Sequence, residues 1–193
     1  MSKTQIVSRE VLARGFATLE KIVFRRRRSD GAMSDLTREI LDTGDGAAIL
    51  PYDPVRGTII LIRQFRGVLF LKQGHEGLIE VCAGKLEGAD PVTRIVKETE
   101  EETGIRLRGE PRRVFEGYST PGSFAERLTY FVAPYSAEDR VSNGGGLVDE
   151  GEDIEVIETT LDAAIAMVER GEIIDLKTIA LLYFARATNL MAS

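Results

Sequence analysis

Any chemistry in this chain would turn on glutamate. The stretch VKETEEETGI, residues 96–105, places carboxylates at Glu98, Glu100, Glu101 and Glu102. Asp90-Pro91 upstream supplies an N-cap and a first-turn proline, and Gly104 stands where a C-terminal glycine stops a helix. The acids then occupy the last turns, where the helix dipole disfavours negative charge by roughly 0.3–1 kcal/mol each. The i, i+3, i+4 spacing sets Glu98, Glu101 and Glu102 on one face and Glu100 elsewhere. Val92, Ile95, Val96 and Thr99 form a neighbouring face that can sit against a sheet. Three carboxylates on one flank suit a hard divalent cation, Mg²⁺ or Mn²⁺, because such ions prefer oxygen ligands. A solvated acidic face is the plain alternative. Lys97 is the only cation within that turn, so the repulsion has little local remedy.

The elements that must position this helix are mostly strands. Ala47–Leu50, Gly57–Gln64, Leu78–Val81, Arg113–Glu116, Leu128–Val132 and Ile154–Glu158 all have strand character. Two helices are expected near the end of the chain, about Thr160–Arg170 and Leu176–Asn189. Val141-Ser142-Asn143-Gly144-Gly145-Gly146 reads as a flexible loop. This order predicts an α+β fold, a mixed sheet with a few helices. Two earlier strands, Thr18–Phe24 and Leu36–Leu41, are divided by the turn Ser29-Asp30-Gly31 and predict a β-hairpin element over residues 1–45. The main domain would span 46–193. Two strands alone are marginally stable, so the hairpin should pack on the main body or on another subunit.

Composition excludes several classes. With 43% hydrophobic and 29% charged residues in 193, the chain has the make-up of a globular protein with one sizeable core. A net charge of −6 argues against general nucleic-acid binding, and the run Arg25–Arg28 reads as a solvated strand end. One cysteine, Cys82, and one histidine, His75, exclude an internal disulfide and a Cys/His zinc set. No run approaches membrane-spanning length and the N-terminal stretch lacks the apolar core of a signal peptide, so a cytoplasmic protein is expected.

The segment Gly84-Lys85-Leu86-Glu87-Gly88-Ala89-Asp90 followed by the acidic helix resembles the Nudix box, G-x5-E-x7-R-E-U-x-E-E-x-G-U. Glu98, Glu101, Glu102 and Gly104-Ile105 match its second half, Lys97 stands at the arginine and Thr99 at the aliphatic position. One residue is missing, so either Ala89 or Asp90 takes the place of the first glutamate. Ile62-Arg63-Gln64-Phe65-Arg66, Glu80-Val81-Cys82-Ala83-Gly84, Ser119-Thr120-Pro121-Gly122 and Glu152-Asp153-Ile154-Glu155 are similar to the family's nucleoside-diphosphate-sugar branch. That branch includes ADP-ribose and GDP-mannose pyrophosphatases.

The resemblance implies a mixed β-sheet sandwich flanked by helices and a Mg²⁺-dependent hydrolysis of a diphosphate bond. The expected reaction takes GDP-mannose to GMP and mannose 1-phosphate. ADP-ribose is the alternative substrate, and a non-catalytic nucleotide-sugar sensor a second alternative. It implies Glu98, Glu102, Glu152 and the Ala83 carbonyl as metal ligands, with Glu101 assisting. Glu152 would be either the base or a ligand, in place of one more exposed acid in Asp149–Asp153. Gly84, Lys85, Glu39, Arg66, Glu126 and Lys177 would contact substrate, with Arg38 reaching it across a homodimer. Phe16 would stack on a base or anchor the N-terminal element, and Cys82 is expected to be a small buried residue.

Overall fold

The strand β4, Gly46–Asp53, is buried along all eight of its residues. Its run Ala47-Ala48-Ile49-Leu50 is apolar at successive positions, as a strand covered on both faces requires. In the computed structural model, which describes residues 3–192, the elements precede and follow it in a simple order. They are β1 (Thr4–Arg14), β2 (Thr18–Arg27), β3 (Met33–Asp42), β4, β5 (Thr58–Gln64), α1 (Gly67–Gln73), β6 (Leu78–Glu80) and β7 (Cys82–Lys85). Then come α2 (Pro91–Thr103), β8 (Arg112–Tyr118), β9 (Arg127–Pro134), β10 (Glu155–Thr160), α3 (Leu161–Glu169) and α4 (Leu176–Ala187). The chain divides into two compact units, Met1–Asp45 with Gly117–Arg127, and Gly46–Glu116 with Leu128–Ser193.

The larger unit is built on a seven-stranded sheet of order β10-β5-β4-β9-β8, with β6 added to β5 and β7 to β4. β4 and β9 run parallel, while β7 pairs antiparallel with β4 through Ala83↔Ala48 and Gly84↔Ala47. The period-two alternation of β4 then sorts the core. Ala48, Leu50 and Tyr52 pack with Leu61, Tyr130 and Val132 beneath Ile165 of α3 and Leu181 and Leu182 of α4. Ala47 and Ile49 face the other way, with Cys82, Phe131 and Ile95 of α2. Helices therefore cover both faces of a mixed sheet, the α+β architecture that the order of elements predicts.

The smaller unit is an antiparallel sheet β1-β2-β3, not a two-stranded hairpin. β1 shows no clean alternation in its sequence, because Ile6-Val7 and Val11-Leu12 fall at near-helical spacing. Register shifts at Ile6/Ser8 and Val11/Ala13 show why: bulges interrupt its period. All eleven of its residues are exposed. Glu20 of β2 is buried and accepts from Arg9 of β1, through Nε at 2.7 Å. Leu41 joins this sheet to the 117–127 segment by Leu41 N–H to the Ser123 carbonyl (2.8 Å) and Ala125 N–H to the Leu41 carbonyl (2.9 Å). The short helix α1 was not foreseen either. It has no side-chain N-cap, and Val68 and Leu71 stay exposed. Among the described residues no helix is long and apolar enough to cross a membrane.

Candidate active site

The helix α2 begins and ends where its sequence dictates. Asp90 Oδ1 accepts the N–H groups of Val92 (2.9 Å) and Thr93 (3.2 Å), Pro91 opens the first turn, and Gly104 closes the last at φ +72°. Its buried stripe is Ile95, Glu98, Thr99, Glu102 and Thr103. Two of the acids are thus on the face toward the sheet, while Glu101 turns to a half-buried position beside Lys97, whose Nζ is 2.9 Å away. Thr99 replaces an aliphatic side chain without leaving an orphan hydroxyl, since it donates to the Ile95 carbonyl (2.6 Å).

The repulsion has more local remedy than Lys97 alone. Arg106, beyond Gly104, takes both oxygens of Glu100 at 2.7 and 2.9 Å. Arg94, one turn before Glu98, lies 2.7 Å from its Oε1 and 3.5 Å from Glu87 in the preceding loop. It meets Glu98 as a charge and not along a hydrogen-bond direction, so its Nε is a buried donor without an aligned acceptor. That loop turns through Glu87 and Gly88, both at positive φ, with the Ala89 N–H donating to the Leu86 carbonyl (2.7 Å). No cation is paired with Glu102 among the described residues.

Glu102 and Glu98 converge on β7. The Ala83 N–H donates to Glu102 Oε2 at 3.3 Å, and a Cβ on Gly84 would lie 2.3 Å from Glu98 Oε1. Only glycine leaves room there for the carboxylate. Burial pushes Glu102 up to about 8; the Cys82 thiol and the Ala83 N–H oppose this, and the charges of Glu98 and Glu152 add to it. Burial also raises Glu98, against the pull of Arg94 and with the push of Glu152 and Glu101. Cys82, fully buried and next to these acids, has its thiol raised well above the usual range, which makes it inert.

The glycine loop comes to the same place through its backbone. Gly145 N–H donates to the Glu102 carbonyl (3.0 Å) and Gly146 N–H to the Glu101 carbonyl (3.1 Å), while Arg140 reaches the Thr103 carbonyl (3.3 Å). Carbonyls that a helix C-terminus leaves unpaired are satisfied here by a loop and a cation. A Cβ on Gly144 would sit 2.4 Å from the Glu102 carbonyl oxygen. The loop then returns Glu152, half-buried, whose Oε2 accepts the Leu147 N–H at 2.8 Å.

Ala83, Gly84, Glu98, Glu102 and Glu152 are therefore neighbours, and their donor atoms are all oxygen. That set, with a raised carboxylate and a cradle that a Cβ would fill, fits a hard divalent cation. As the side chains stand, no three acids among the described residues are gathered at ligating distance.

A second group assembles elsewhere in the same unit. Arg66, the residue before α1, donates from Nε to Glu80 Oε2 at 2.7 Å. Lys177, in the first turn of α4, donates to Glu80 Oε1 and lies 3.1 Å from Asp175. Glu80 itself is absent from the sequence-based site, although an acid at the end of an apolar strand, Leu78-Ile79-Glu80, was a legible signal. Lys85 is half-buried at the end of β7. Phe16, Arg38, Glu39 and Glu126 all belong to the smaller unit. There Phe16 is exposed, Arg38 donates to the Thr37 carbonyl (2.8 Å), Glu39 is exposed and Glu126 is half-buried.

No family model matches the chain. Curated relatives do. A GDP-mannose pyrophosphatase of Escherichia coli O1:K1 / APEC is 41% identical over 187 residues, covering 96% of each chain. One from Shigella boydii serotype 4 is 40% identical with the same coverage. Among solved structures, one described as an ADP compounds hydrolase superposes with a TM-score of 0.73 over 97% of this chain and 94% of its own, at 18% identity, a likeness of fold. With the acidic helix seated on its glycine cradle and relatives of this identity along nearly the whole chain, the protein belongs to the Nudix hydrolases, in the nucleoside-diphosphate-sugar branch of the GDP-mannose pyrophosphatases.

Proposed function

We propose that this protein hydrolyses GDP-mannose to GMP and mannose 1-phosphate in a Mg²⁺-dependent reaction, with Mn²⁺ as the substitute ion. One observation carries the reading. Two carboxylates, Glu98 against Gly84 and Glu102 against the Ala83 N–H, are buried on β7 in a chain 41% identical to a GDP-mannose pyrophosphatase. Glu98, Glu102 and the Ala83 carbonyl would hold the cation. Bound there, it supplies neutralisation of the diphosphate charge and polarisation of the attacking water.

The chain's own groups do the rest. As the water oxygen bonds to one phosphorus and the bridging P–O bond breaks, Glu152 takes the proton, with Glu101 assisting from the helix. The Leu147 N–H already orients the Glu152 carboxylate for one task. Arg66 and Lys177 bring positive charge to the diphosphate, with Gly84 and Lys85 beside them. Phe16, Arg38, Glu39 and Glu126 are the further substrate contacts that the family pattern suggests. We extend the reading to a cytoplasmic homodimer built through the smaller unit. The support is β1, where Ile6, Val7, Val11 and Leu12 are all exposed on one strand.

The test is a parallel assay of GDP-mannose and ADP-ribose with Mg²⁺, following monophosphate release. GDP-mannose should show the higher kcat/KM by about tenfold or more, a margin that a few polar contacts provide. A preference for ADP-ribose would replace the substrate, and no release from either would remove the enzymatic reading.

A further inference from the structure

Glu80 is 2% exposed, and a buried carboxylate is costly unless paired. It is paired twice, by cations from two distant segments. Arg66 is the residue before α1 and Lys177 comes from the start of α4, one on each carboxylate oxygen. The arrangement is locked from behind. Asp175 caps α4 by accepting the Thr178 N–H (2.9 Å) and hydroxyl (2.6 Å), and that hydroxyl accepts the N–H of Val81, next to Glu80 (2.8 Å).

Two details point past stability. A cation in the first turn of a helix is on the wrong side of the dipole, so Lys177 is not placed there for the helix. Arg66 meets Glu80 through Nε on a side chain 43% exposed, and among the described residues its terminal nitrogens donate to no other group. One buried acid thus fixes two cations within the span of a single carboxylate group.

We propose that Glu80 is a positioning residue for anion binding, holding Arg66 and Lys177 as a pair so that one diphosphate meets both. This rests on the reading of the protein as a nucleotide-sugar hydrolase. It makes an unusual prediction of sign. If Glu80 only competed for the cations, its neutralisation would free them and tighten anion binding. If it positions them, neutralisation scatters them and weakens it.

The experiment compares wild type with Glu80→Gln and Glu80→Asp in steady-state kinetics and in calorimetric binding of inorganic pyrophosphate. Glu80→Gln should raise KM for GDP-mannose and Kd for pyrophosphate by roughly tenfold, with kcat within about threefold. Glu80→Asp should recover part of the loss. Arg66→Ala should cost little more once Glu80→Gln is present, because the pair acts as one unit. Unchanged or tighter pyrophosphate binding in Glu80→Gln would overturn the proposal, as would full additivity with Arg66→Ala or a pyrophosphate site missing from wild type. If Glu80→Gln fails to fold, the same criteria apply to Glu80→Asp. Absence of nucleotide-sugar turnover in wild type would remove the functional reading, and the pyrophosphate arm would still decide the role of Glu80.

Discussion

Glu80 and Glu102 are the same residue type at the same exposure, 2%, in the same unit, yet their surroundings are opposite. Glu80 has a cation on each oxygen. Glu102 has a thiol, one long N–H contact and two acidic neighbours. The first arrangement is complete within the chain: its charge is matched by Arg66 and Lys177 and its geometry fixed by both. The second leaves a carboxylate that burial pushes to about 8. A protein has no structural need for such a group. The difference teaches how to tell a buried acid whose charge the chain itself matches from one that suits a cation from solution: by what sits opposite each oxygen.

The largest expected effect comes from removing the second kind. Glu102→Gln should lower Mg²⁺-dependent turnover by at least about a hundredfold while the fold persists, since the amide fits the same space without the charge. Turnover within a few-fold of wild type at saturating Mg²⁺ would end the metal assignment and the contrast with it.

Removing a partner of the first kind should act on stability as well as on substrate binding. Lys177→Met leaves Glu80 with Arg66 alone, and we expect a loss of about 2–3 kcal/mol in urea unfolding, below the cost of stripping a buried charge of every partner. A loss under about 0.5 kcal/mol would show that the pair is solvated in the manner of a surface salt bridge.

Protons provide the third comparison. A carboxyl raised to about 8 in the folded state and near the ordinary 4.5 when unfolded binds its proton more tightly when folded. Stability of the metal-free protein from this group is therefore greatest below the ordinary value and falls as pH rises towards about 8. Mg²⁺ needs the ionised form, so its stabilising effect should grow over the same interval. Melting temperatures from pH 5 to 9, with and without Mg²⁺, should diverge as pH rises, and Glu102→Gln should remove most of the divergence. Parallel curves would mean that Glu102 is already ionised in the folded protein.

Much of this was legible from sequence. Asp90, Pro91 and Gly104 bounded α2 because caps act locally, and the apolar strands announced the sheet. What escaped depended on distance or on irregularity. β1 is hidden by its bulges, and Arg94 and Arg106 lie outside the helical turn that holds Lys97. Helical spacing put Glu101 with Glu98 and Glu102, but the sheet buries only the latter two, because α2 meets it along the Ile95–Thr99–Glu102 stripe. Glu80 stands in a motif that by itself assigns it no role, since its two cations arrive from segments 14 and 97 residues away. No local pattern carries that meeting.

The smallest effect concerns a third kind of acid. The sequence left open whether Asp90 takes the place of the family's first glutamate. In the structure both contacts of its Oδ1 are backbone N–H groups of α2, and the position preceding it is Ala89. An oxygen spent on a helix start contributes to local stability and little to a distant cation. Asp90→Ala should therefore cost about 1 kcal/mol, the usual worth of an N-cap, and Asp90→Ser should restore most of it because a hydroxyl accepts the same bonds. Mg²⁺ titration of activity should give the same half-saturating concentration in all three proteins. If Asp90→Ala loses Mg²⁺ affinity tenfold and Asp90→Ser does not recover it, the carboxylate acts by charge, and Asp90 belongs with Glu98 and Glu102.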